Sequence, residues 1–142
     1  MAGFQHQSPL CDRIREALCG REEVLFAYLY GSRVSAPDLP GADVDVAVYL
    51  KRSDLEEYVR RDKELTAFLV SRLRTHALDL RIINVSPLVL QYQILKHGTL
   101  IFSRDEQERS EFEARVMIRF FELKPYLDEY REMLGLRIRG AR

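Results

Sequence analysis

A chain of 142 residues, 46% hydrophobic and 31% charged, has the length and composition of one globular domain with an ordinary core. Its 22 Lys and Arg balance its 22 Asp and Glu, so no molecule-wide basic field exists to hold nucleic acid, and direct nucleic-acid binding is not expected. The apolar runs are far too short to span a bilayer, and MAGFQHQSPL lacks the basic region and apolar run of a secretory signal.

The first element is a helix. Ser8-Pro9 pairs a cap with proline at the first helical position, Leu10, Ile14, Ala17 and Leu18 recur at helical spacing, and Gly20 stops the run. Cys11 and Cys19 fall about two turns apart on this helix, too far to bridge, and read as reduced thiols of a cytoplasmic protein. His6, His76 and His97 are scattered and form no metal-ligand spacing. VLFAYLY, Val24 to Tyr30, is apolar on both faces and reads as a buried strand ended by Gly31-Ser32.

Asp43 to Leu50 is predicted as the next strand. A helix follows with Leu55, Tyr58, Val59, Leu65, Phe68, Leu69 and Leu73 on its apolar face, opened by a Ser53–Glu56 capping box with Asp54 also available. ALDLRIINV, Ala77 to Val85, is predicted as a third strand. Ser86-Pro87 opens a further helix that ends at Gly98, and Thr99 to Phe102 forms a short strand. A long helical pattern closes the chain, with Phe112, Val116, Phe120, Leu123, Leu127, Tyr130 and Leu134 on one stripe. Pro125 inside it is expected to kink or split the helix near Lys124. Arg104, Arg109 and Arg115, interleaved with acids, read as an exposed helix laced with salt bridges. Helices alternating with strands predict an α/β domain, whose strand order one sequence does not determine.

The chemistry sits in GSRVSAPDLPGADVDVAV. In a strand, residues two apart share a face, so Asp43 and Asp45 stand together and Val44, Val46 and Val48 face the other way. Two adjacent carboxylates repel unless a cation lies between them. Mg²⁺ is a hard ion held by one or two carboxylates together with substrate phosphates. Asp79, set in the apolar strand LDLRI, is the candidate third acid, because a lone charge there is costly. At Gly31-Ser32 the backbone can approach a ligand closely, and Arg33 follows as a candidate phosphate contact. Taken singly, each of these also reads as a turn or surface residue.

Gly31-Ser32, ten residues, then Asp43-x-Asp45 resembles the signature of the DNA polymerase β-like nucleotidyltransferase superfamily. The length, and the run from Asp79 through NVSPLVLQYQILKHGTLIFSRDEQERSEFEARV, resemble its minimal nucleotidyltransferase group, with the likeness covering roughly Val24 to Leu134. Where many relatives carry an Arg-Gly pair after Gly-Ser, this chain has Val34-Ser35-Ala36, then Pro37 and Pro40.

The resemblance implies a polymerase β palm-like fold: a small mixed sheet flanked by helices, in one domain over residues 1–142 with a helical C-terminal region at about 105–136. It implies Asp43, Asp45 and Asp79 as catalytic and metal-binding residues, with Gly31, Ser32 and Arg33 contacting the nucleotide phosphates. Two Mg²⁺ ions are expected, with Mn²⁺ able to substitute, and ATP as substrate. Members of the group commonly act as antitoxins that attach AMP to a tyrosine of a HEPN-type RNase toxin, so a HEPN partner is expected. The chain is then a protein adenylyltransferase, acting alone, as a homo-oligomer or in a mixed complex. The alternatives are a non-catalytic antitoxin that neutralises by binding, and an aminoglycoside-type transferase acting on a small molecule.

Overall fold

The computed structural model describes residues 8–31 and 43–138. Four strands form one sheet: β1 (Val24–Tyr30), β2 (Val44–Leu50), β3 (Leu78–Ile82) and β4 (Thr99–Ser103). Their order is β3-β2-β1-β4, antiparallel except for the parallel β2–β3 pair. The sheet is mixed because the helix α2 (Leu55–Leu73) carries the chain from the end of β2 back to the start of β3. The other helices are α1 (Pro9–Cys19), α3 (Leu88–His97) and α4 (Glu106–Ile138).

Side-chain alternation sorts the core into two layers. Ala27, Leu29, Val46 and Val48 pack with Ile14 and Leu18 of α1 and Leu65 and Leu69 of α2. Phe26, Tyr28, Ala47 and Tyr49 pack on the opposite face with Ile94 of α3 and Phe112 and Val116 of α4. β1 is apolar on both faces because it is interior to the sheet and covered on both sides. Phe26 and Tyr49 are cross-strand partners whose rings stack with centroids 4.4 Å apart.

α1 begins as expected, with the Ser8 hydroxyl accepting the Cys11 amide and Pro9 in the first turn. α2 differs: its cap is Asp54, whose carboxylate accepts the Glu57 amide, and not Ser53. The third strand is shorter than expected, since β3 stops at Ile82 and a 3₁₀ turn takes Ile83–Val85. Asn84 explains the change. Its amide accepts from Leu50 N and donates to Leu50 O, both at 2.9 Å, so one side chain replaces the strand pairing that β2 loses there. α4 is not split, because Pro125 lies inside one helix running from Glu106 to Ile138. The missing N–H leaves the Phe121 carbonyl without its helical partner at a residue that is exposed to solvent.

The arginines near the start of α4 do more than lace a surface. Arg104 precedes the helix, and its guanidinium donates to the carbonyls of Leu18, Cys19, Arg21 and Val24, tying the end of α1 to the start of β1. Tyr28 donates from the sheet to Glu113 at 2.6 Å, and Glu113 also accepts from Arg109. Burial first, then the Glu113 carboxylate, pushes the Tyr28 hydroxyl far above its usual ionisation range.

Candidate active site

The two layers leave one end of the sheet for chemistry. Three residues stand in register across it on one face: Tyr30 of β1, Asp45 of β2 and Asp79 of β3. Asp79 reaches this place through a backbone lock. The Val44 amide, between the two aspartates, donates to Ala77 O at 2.7 Å and aligns β3 so that Asp79 falls opposite Asp45. Asp43 lies one residue ahead of β2, exposed, on the same side as Asp45.

The three carboxylates act on one another. The Asp45 carboxyl is held above the usual carboxylate range, first by partial burial, then by the charges of Asp79 and Asp43, with Arg81 opposing. Among the described residues, no three His, Cys, Asp or Glu side chains close on a common point at metal-ligating distance. Asp45 and Asp79 are register partners on adjacent strands, and Asp43 flanks them one residue ahead of β2.

Gly31 sets the other wall. It ends β1 with φ +79°, a left-handed conformation that side chains other than glycine rarely adopt. A Cβ built there would overlap the Asp45 carboxylate, so the Gly31 backbone is packed directly against the acid. Ser32 and Arg33, the other expected phosphate contacts, lie outside the described residues.

Two further residues belong to the site. Arg81 shares the face of Asp79, two positions on, with its Nε 3.4 Å from Asp79 Oδ2. Sequence reasoning passed over it, although strand periodicity alone placed it beside the third acid. From the sequence, Tyr30 reads as packing within its strand, with bordering the nucleotide as the alternative because it precedes Gly31-Ser32. Its enclosed hydroxyl has no hydrogen-bond partner among the described residues. Burial first and the Asp79 charge second push it up to about 12, while Arg81 is near enough to work the other way without bonding to it.

Beside β3 a cavity of about 540 Å³ opens between the strand and α2, and Asp79 and Arg81 form part of its wall.

A family model described as polymerase beta nucleotidyltransferase matches residues 12–107, more than half of the chain. Fold and site together thus define a nucleotidyl-transferring enzyme. The chain belongs to the polymerase β nucleotidyltransferase family. No curated protein matches it in sequence. Among solved structures, it is similar to a chain of a toxin–antitoxin complex with AMP-PNP, with 20% identity, a TM-score of 0.70, and coverage of 87% of this chain and 97% of that one. It is similar to a chain of the tri-AMPylated Shewanella oneidensis HEPN toxin in complex with MNT antitoxin, with 20% identity, a TM-score of 0.65, and coverage of 87% and 94%. A chain of the toxin–antitoxin MntA–HepT matches at 19% identity and a TM-score of 0.65, with coverage of 90% and 98%. At such identities the likeness is one of fold. No helix among the described residues is long and apolar enough to cross a membrane.

Proposed function

We propose that this chain, as one domain over residues 1–142, is an antitoxin that transfers AMP from ATP to a tyrosine of a HEPN-type RNase toxin and so neutralises it in the cytoplasm. The observation that carries the reading is the register of Asp45 against Asp79, with Gly31 packed against the Asp45 carboxylate. That arrangement joins a backbone suited to close phosphate approach to a pair of hard oxygen donors. Further support comes from the similar complexes, one with AMP-PNP and one with a tri-AMPylated toxin. Another similar complex carries two aspartates changed to glutamate at positions two apart, the spacing of Asp43 and Asp45.

Asp45 and Asp79, with Asp43 flanking, fit a divalent cation. Two like charges face each other across adjacent strands, and Mg²⁺ takes one or two carboxylates plus phosphate oxygens. When bound, Mg²⁺ or Mn²⁺ supplies charge stabilisation to the entering and leaving oxygens at the α-phosphorus. The protein's own part is positional. Gly31, Ser32 and Arg33 hold the triphosphate at the end of β1. Asp79 takes the proton of the acceptor hydroxyl. The acceptor oxygen then bonds to the α-phosphorus, the bond from that phosphorus to the β-phosphate oxygen breaks, and pyrophosphate leaves with the electron pair.

The test is co-expression of the chain with its HEPN-type partner, followed by intact mass measurement of the partner. Mass increments of AMP are expected with the wild type and none with Asp43→Ala/Asp45→Ala. An unmodified partner in a soluble wild-type complex supplied with ATP and Mg²⁺ refutes the transferase reading. Full protection of cells by the double variant shows that binding alone neutralises.

A further inference from the structure

β3 is the terminal strand of the sheet, hydrogen-bonded to β2 on one side only. Alternate amides and carbonyls along its outer edge have no strand partner among the described residues. The 540 Å³ cavity lies along this edge. One end is polar and belongs to the active site, being formed by Asp79 and Arg81. The other carries three apolar side chains in the open: Leu55 is 66% exposed, Val59 49% and Val85 52%.

A short edge strand bearing charges is a common way to keep a sheet from aggregating, and Asp79 and Arg81 serve that end. That does not account for three exposed apolar residues gathered around the same groove. A nucleotide is a poor fit for the groove's length, because Arg81 is the one cationic side chain among the lining residues, while Asp62 and Asp79 in the same wall would repel phosphates. Strand edge, apolar rim and an end that opens on a carboxylate together suit an extended polypeptide.

We propose that this groove is the acceptor site: an extended apolar segment of the acceptor protein lies along the open edge of β3, over Leu55, Val59 and Val85, and presents its hydroxyl to Asp79. The site rests on the transferase reading above and names where its second substrate binds. Main-chain hydrogen bonds to β3 hold the segment regardless of sequence, and the rim selects apolar side chains.

The experiment uses the full chain carrying Val59→Glu/Val85→Glu, two exposed positions where charge leaves the core untouched. The acceptor is the HEPN-type partner, and AMP-PNP with Mg²⁺ is the nucleotide probe. The expected result is a rise of about tenfold in KM for the partner, with kcat at saturating partner and the AMP-PNP thermal shift unchanged. Loss of the AMP-PNP shift as well assigns the groove to the nucleotide and overturns the proposal. Unchanged transfer overturns it too, as does a wild-type dimer that becomes monomeric in the variant while transfer persists, because a second copy is then the occupant. Amide hydrogen exchange separates this claim from the transferase reading. Slowed exchange across Leu78–Ile82 in the wild-type mixture supports the groove even if no AMP moves. Unchanged exchange there overturns it even if AMP does.

Discussion

Replacing Asp45 by asparagine removes one of two like charges on adjacent strands and keeps the shape of the side chain. In-register neighbours on paired strands stand ~4.8 Å apart. Two unit charges ~5 Å apart repel by ~1 kcal/mol in a water-like medium and by ~3 kcal/mol at an effective dielectric of 20. Asp79 is about half exposed and Asp45 only partly buried, so the water-like figure applies. Arg81 beside Asp79 offsets some of it. Asp45→Asn should therefore stabilise the metal-free protein by ~1 kcal/mol at pH 7, or ~4 °C in Tm for a domain of this size. The sign of the pH dependence follows from the raised Asp45 carboxyl. A group that holds its proton more tightly when folded contributes stability below its unfolded pKa and loses it as pH rises through the folded value. The advantage of asparagine is thus absent in acid and grows as the pH rises through and above the ordinary carboxylate range. The assay is thermal unfolding in chelator and low salt at pH 3 and pH 7, repeated at pH 7 with Mg²⁺ and AMP-PNP. With both ligands present the order should reverse, since only the wild type gains binding free energy in full. A less stable Asp45→Asn protein at pH 7, or the same gain at both pH values, refutes the electrostatic account of the site.

Gly31→Ala forces a side chain into a left-handed backbone and onto the Asp45 carboxylate. It should cost ~1–2 kcal/mol by chemical denaturation and abolish the thermal shift from AMP-PNP with Mg²⁺. Asn84→Ala removes both bonds to the Leu50 backbone. At ~1 kcal/mol per bond, urea unfolding should show a loss of ~2 kcal/mol. Arg104→Lys keeps the charge but not the fork that spans four carbonyls. Amide exchange in the α1–β1 turn should speed up in the lysine variant nearly as much as in Arg104→Ala.

Periodicity and punctuation carried most of the elements. Ser8-Pro9 and Gly20 bound α1, seven apolar residues in a row marked the covered strand β1, and Gly98 closed α3. These signals are local: each depends on a few dihedrals or on one strand's burial, and so is written within a few residues. The errors fell where a distant residue decides. Ile83–Val85 reads as strand until Asn84 is seen holding Leu50, 34 positions earlier, and Arg104 reads as solvated until four remote carbonyls are seen around it. Pro125 lies inside a continuous helix because removing one amide at an exposed turn costs less than ending a helix in water.

The acids divide the same way. That Asp43 and Asp45 share a face, away from the valines, followed from the two-residue period of a strand and from nothing else. That Asp79 meets Asp45, that Tyr30 completes the row and that Gly31 lies against a carboxylate depended on strand order and register. A parallel pairing between strands 34 residues apart is set by α2 crossing over the sheet and by the ladder that runs from Val44–Leu78 to Val48–Ile82, and no short stretch of chain encodes either.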